Sequence, residues 1–223
     1  QYRRGSNNPY AGEYPRKVLW AKLKGMTELL QEQFGVKPVS HRGGRWYIDA
    51  WYIQALEKLG YTADCSVTPG VSWKNHIGYG RGGRDYRKFP QKVYRLDNRH
   101  IFREGNSRIL EVPPTITSLP AGRRVKDILC RPHAYREIMS KKIWLRPNGN
   151  NLQDMIGIVE QYEKSECDYL EFMIHSSELM PGGSPTFLSR SSIENMYSHL
   201  EAVFERAEST YKGSSLSSYA EGK

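Results

Sequence analysis

Tyr169-Leu-Glu-Phe-Met-Ile-His175-Ser-Ser-Glu178-Leu-Met-Pro181-Gly182-Gly183-Ser184 is the stretch on which the fold assignment turns. It opens with a short apolar run between turn residues, the pattern of a buried strand of about five or six residues. Where that strand should end, His175, Ser176, Ser177 and Glu178 crowd polar groups together, and Pro181-Gly182-Gly183-Ser184 stops regular structure. In α/β proteins the C-terminal ends of parallel strands line the ligand crevice. A histidine placed there can take or give a proton near neutrality, because its unperturbed pKa is about 6.5. The alternative is a core histidine whose two ring nitrogens bond to backbone.

Working outward, residues 1–15 carry no periodicity and read as a loop. Val18, Leu19, Leu23, Met26, Leu29, Leu30 and Phe34 follow helical spacing, with Gly35 as the stop. Residues 36–42 read as a short strand interrupted by Pro38, leading into the Gly-rich turn His41-Arg42-Gly43-Gly44-Arg45-Trp46. Ile48, Trp51, Tyr52, Ala55, Leu56 and Leu59 mark the inner side of a second helix closed by Gly60. Residues 61–67 form the next strand. The stretch 108–117 holds Pro113-Pro114, which makes it an edge or irregular strand. A short helix is expected over 133–141, and a strand or turn over 143–147. Asn151 stands where it could cap a helix to Lys164, and Ser191-Ser-Ile-Glu194 reads as a capping box for a final helix. The Ser-rich residues 211–223 read as a flexible tail. The alternation of helix and strand predicts an α/β fold with a mostly parallel sheet, with too few strands to close a barrel.

The chain has 223 residues, enough for one domain with a proper core, here residues 16–210. Its 38% apolar and 12% aromatic content is that of a folded protein. Cys65, Cys130 and Cys167 are odd in number and widely spaced, which suggests neither a disulfide framework nor a zinc site and leans toward a reducing, cytoplasmic compartment. No stretch is long and apolar enough to span a membrane. The chain begins at Gln1, which suits a fragment or a processed product. The net charge of +9 is largely local: between Lys74 and Arg108 ten Lys and Arg face three Asp and Glu, a net of +7. This segment is short, unrepeated and embedded between structured elements. It reads as a solvated basic loop, with residues 79–84 facing an anionic substrate, rather than as a nucleic-acid site.

Three motifs together resemble the polysaccharide deacetylase (NodB-homology) family, carbohydrate esterase family four. They are His41-Arg42-Gly-Gly-Arg45-Trp46, then Gly60-Tyr-Thr-Ala-Asp64-Cys-Ser-Val-Thr-Pro69 through Trp73, then Phe172-Met-Ile-His175-Ser-Ser-Glu178-Leu179-Met180. In order and spacing they are similar to that family's third, fourth and fifth motifs. Leu110-Glu-Val-Pro and Trp144-Leu-Arg-Pro also look like a bacterial subgroup with an Arg-x-Gly-Arg-Trp form of motif three and a His-Ser-Ser-Glu-Leu-Met form of motif five.

The resemblance implies the C-terminal part of a distorted (β/α) barrel whose N-terminal strands are missing. It implies metal-dependent removal of N-acetyl groups from the amino sugars of a polysaccharide or glycoconjugate. The family's zinc or similar divalent metal is held by an Asp and two His of upstream motifs, so a metal is expected in the full-length parent and none in this fragment. By the resemblance His175 donates the proton to the leaving amine, Arg42 is the motif-three arginine and Asp64 is the acid that pairs with it. Trp46 and Trp73 would form an apolar wall for substrate, and Leu179 and Met180 would line the acetyl pocket. An N-acetylated glycan is the expected partner, with neither nucleic acid nor a membrane segment. A catalytically silent member that binds carbohydrate or serves as scaffold is the other reading.

Overall fold

A computed structural model describes residues 8–80, 82–118, 129–130, 141–165 and 167–223. The helix expected over 133–141 lies almost wholly outside them. In chain order the described elements include α1 (Arg16–Phe34), β1 (Ser40–His41), α2 (Ala50–Leu59), β2 (Ala63–Asp64), β3 (Tyr94–Arg95), β4 (Leu110–Glu111), β5 (Ile116–Thr117), β6 (Ile143–Trp144), α3 (Leu152–Glu163), α4 (Arg190–Glu208) and α5 (Leu216–Glu221). The fold is mixed α/β, with one four-stranded and one two-stranded sheet and no closed barrel among the described residues. The chain divides into two compact units, Gln1–Pro113 with Ser214–Lys223, and Pro114–Gly213.

In the first unit the strand order is β1-β2-β4-β3. β1, β2 and β4 run parallel, and β3 is antiparallel to β4. The connections fit this: α2 provides the crossover that two parallel neighbours such as β1 and β2 need. Asp49 starts α2 by accepting the Tyr52 N–H at 2.8 Å, and Gly60 ends it in the left-handed region at φ 88°. Tyr52, Ile53, Ala55 and Leu56 form its buried face. Gly35 ends α1 in the same way, at φ 68°. The apolar spacing of α1 overstates its burial: Leu19 and Thr27 are buried, while Met26, Leu29 and Phe34 are exposed.

Three expectations change in this unit. Leu110–Glu111 lies inside the sheet between β2 and β3 rather than at an edge, because Pro113-Pro114 falls after the paired residues and removes no ladder bond. The basic segment is anchored rather than merely solvated, since Tyr86 and Tyr94 within it are fully buried and Tyr94 belongs to β3. The Ser-rich end carries α5, capped by Ser215 through the Ser218 N–H at 3.1 Å, with Ala220 buried.

In the second unit β5 and β6 pair antiparallel. Residues 169–175 form no strand; they are an extended segment held by scattered bonds. Thr115 N donates to Glu171 O at 3.0 Å, Glu171 N to Thr115 Oγ1 at 2.9 Å, and Met173 N to Leu145 O at 3.2 Å. A side-chain hydroxyl has replaced one backbone acceptor, so the ladder never becomes regular. Leu145, Met155, Ile158, Val159 and Val203 form the core between α3 and α4, and Phe187, Ile193 and Met196 form a second cluster.

Both expected caps move. Asn151 does not cap α3 with its side chain. Its Oδ1 accepts from Asn148 N at 2.9 Å and its Nδ2 donates to Arg146 O at 2.8 Å, so the amide secures the preceding turn. The capping box of α4 is Ser189 with Ser192, with bonds of 3.2 and 3.1 Å, two residues before the expected start.

Candidate functional site

The parallel strands of the first unit end in ionisable residues. His41, Asp64 and Glu111 close β1, β2 and β4, and the register pairs His41 with Asp64, Asp64 with Glu111, and Glu111 with Tyr94 of β3. Paired positions project to the same face of a sheet, so the four side chains form one row across it. Asp64 and Glu111 are fully buried. A carboxylate can be held there only with partners. Asp64 Oδ1 takes His41 Nδ1 at 2.6 Å and the Ser66 hydroxyl at 2.9 Å, and Oδ2 takes the Ser66 N–H at 2.9 Å. Glu111 Oε1 accepts the Val67 N–H at 2.8 Å.

Burial pushes the Asp64 carboxyl up, but the His41 hydrogen bond and charge, the Glu111 carboxyl and the Ser66 N–H outweigh it and hold it below the usual range. The same negative charge reaches the neighbouring phenols. Burial first, then Glu111 and Asp64, raises Tyr94; burial first, then Asp64, raises Tyr52. His41 Nε2 is in turn 3.1 Å from the Tyr52 hydroxyl. Both ring nitrogens are thus committed inside the protein, and His41 acts as an orienting group for Asp64.

The expected Arg42–Asp64 pair is replaced by His41–Asp64. The Arg42 guanidinium donates to Gly43 O at 3.3 Å and lies over the Trp46 ring, 4.8 Å from its centroid. Consecutive residues of an extended strand point to opposite faces. With His41 turned toward β2, Arg42 leaves the sheet row. Asp64 still reaches the turn that carries Arg42, because Ser66 Oγ, its hydrogen-bond partner, accepts the Gly43 N–H at 2.7 Å. Trp46 is buried, and its carbonyl accepts the Tyr86 hydroxyl at 2.5 Å. Trp73 is partly exposed and donates its indole N–H to Thr68 Oγ1 at 2.9 Å.

His175 belongs to the second unit, where it precedes a 3-10 turn over Ser176–Leu179. Its imidazole is 40% exposed, which the core alternative would not give. Glu178 is buried beneath it. One carboxylate oxygen accepts the His175 N–H at 2.9 Å and lies 3.5 Å from Nδ1; the other takes the Arg146 guanidinium at 2.6 Å. Burial raises the Glu178 carboxyl, but the His175 N–H and Arg146 together hold it below the usual range, so it stays ionised under the imidazole. Leu179 and Met180, the next residues, are exposed.

His41 and Glu111 are functional candidates that reading the chain alone passed over. The one available signal was an acidic residue inside the apolar run Ile109–Val112. Among the described residues no group of three or more His, Cys, Asp and Glu could hold a metal ion, and the His41–Asp64 donors are turned toward each other. No described helix is long and apolar enough to cross a membrane. Comparison with family models, with curated proteins and with solved structures found no match to any of the three.

Proposed function

We propose that the chain is the C-terminal part of a polysaccharide-deacetylase-type (β/α) barrel and serves the hydrolysis of N-acetyl groups from amino sugars in a polysaccharide or glycoconjugate. The observation that carries this reading is the setting of His175: a partly exposed imidazole whose backbone N–H is held by a buried carboxylate, which lies 3.5 Å from Nδ1 and is itself bound by Arg146. That is the arrangement a general acid needs, with the proton at the surface and the orienting charge behind it.

Amide hydrolysis requires an attacking water, relief of charge on the carbonyl oxygen and a proton for the departing amine. A divalent metal supplies the first two when bound. By the resemblance its ligands belong to the two upstream motifs. His175 supplies the proton as the C–N bond breaks. Glu178 keeps the imidazole pointed outward, and Leu179 and Met180 offer an apolar lining for the acetyl methyl. Asp64 organises the strand ends of its own unit through His41 and through the Ser66–Gly43 bond beneath Arg42.

The test is acetate release from N-acetylglucosamine oligomers by the full-length protein, before and after chelation and with zinc or cobalt restored. Metal-dependent acetate release is expected. Retained glycan binding without acetate release under any divalent metal would overturn the enzymatic reading in favour of a silent carbohydrate-binding protein.

A further inference from the structure

Arg45 and Arg84 stand on one aromatic pair. Arg45 lies over the Tyr10 ring, 5.0 Å from its centroid, and Arg84 over the Tyr47 ring at 5.9 Å. The two rings pack against each other at 6.0 Å. Both tyrosines are buried, so the platform is rigid, whereas Arg45 is exposed and Arg84 partly so. Gly12 and Gly83 let the chain close around it: a Cβ at Gly12 would fall 1.9 Å from the Tyr47 hydroxyl, and one at Gly83 2.8 Å from the Tyr10 hydroxyl. Arg45 and Trp46 both adopt left-handed backbone, φ 52° and 59°, which L residues rarely hold without compensation. The turn that presents Arg45 is therefore kept at a conformational cost.

Among the described residues neither Arg45 nor Arg84 makes an ion pair, and the nearby carboxylates are engaged elsewhere. Glu13 accepts the N–H groups of Tyr10, Tyr79 and Gly80. Asp49 takes the Tyr47 hydroxyl and the Tyr52 N–H. Asp85, beside Arg84, is bound by Arg87 and Lys74. Two guanidiniums are thus oriented by stacking, with their N–H edges left for a ligand. Arginine in that state is preorganised for carboxylate or sulfate oxygens.

The geometry points to a binding site for an acidic oligosaccharide, one bearing carboxylate or sulfate groups, centred on Arg45 and Arg84. A single-stranded nucleic acid fits less well, because it requires aromatic faces open for base stacking, and Tyr10, Tyr47 and Trp46 are all buried. The site stands independently of the deacetylase reading, since it invokes neither His175 nor a metal.

Calorimetric titration of the full chain with an oligogalacturonate hexamer, a sulfated disaccharide, the neutral N-acetylglucosamine hexamer and a single-stranded 20-mer tests it. Binding of the oligogalacturonate or the sulfated sugar, weakened by salt, is expected, whereas any binding of the neutral hexamer should be insensitive to salt and to both arginine substitutions. Arg45→Asn and Arg84→Gln should each weaken it about tenfold, the scale of one lost charge-assisted contact. Asn tolerates the left-handed backbone at position 45, and an unchanged melt of each variant keeps a folding defect from counting as support. Arg45→Lys should recover part of the affinity. Unaltered affinity in the double variant, no acidic-sugar binding, or tighter binding of the 20-mer would each overturn the proposal.

Discussion

Glu171 and Asp64 show how two carboxyls of one chain take opposite pH signatures from their surroundings. Asp64 has His41 and Ser66, and its folded-state pKa falls below the unfolded one. Its contribution is complete above the ordinary carboxylate range and is lost as the pH drops. Glu171 is pushed from 4.5 to about 7 by burial alone. Its folded form binds the proton more tightly than the unfolded chain does. Stability from this group is therefore full below about pH 4.5 and declines as the pH rises toward 7. Glu171→Gln should accordingly stabilise the protein at pH 8 by roughly 1–3 kcal/mol, with the gain vanishing near pH 4. Denaturant melts of both proteins across that range check it; a gain that grows at acid pH would contradict the burial account. Nothing in Glu-Phe-Met-Ile announces this, because a residue's partners depend on which distant segment packs over it.

At the scale of elements, what could be read in the chain is what a single segment decides for itself. Gly35 and Gly60 end α1 and α2 because the left-handed residue that closes a helix is costly for anything but glycine. Those ends were legible. Asp49, in the midst of the turn that follows Trp46, is the less obvious end: it caps α2 by accepting the Tyr52 N–H at 2.8 Å. Asp49→Ala should cost about 1 kcal/mol in a chemical melt, the usual worth of an N-cap, with some further loss from the Tyr47 hydroxyl bond. A change below a few tenths would show that tertiary packing alone holds the helix start. The described strands are two residues each, too short for alternation to reveal. The row His41–Asp64–Glu111–Tyr94 was illegible for a related reason. It arises from register between strands up to 70 residues apart in sequence, which no local pattern encodes. Asp64 takes His41 rather than Arg42 as its partner for the same reason: one step along the chain decides whether position 41 or 42 faces β2.

For the whole molecule, two compact units carry two kinds of polar centre. One is a closed network, Asp64–His41–Tyr52 beside Glu111, in which Asp64, Tyr52 and Glu111 are buried and both His41 ring nitrogens face protein partners. The other is open, with the His175 imidazole at the surface above a buried Glu178. A closed network positions; an open one can meet a substrate. This contrast favours His175 as the proposed proton donor and Asp64 as the proposed organising carboxylate. The most direct test of the proposed role is the turnover of the full-length protein carrying His175→Ala, measured as acetate release at saturating N-acetylated oligosaccharide. A loss of ~10²–10⁴ in kcat, about 3–5 kcal/mol of transition-state stabilisation, is predicted. KM and metal content should change little, since the proton is needed only as the C–N bond breaks. Near-normal kcat in a folded His175→Ala protein, or unfolding of the protein on that substitution, would contradict the assignment.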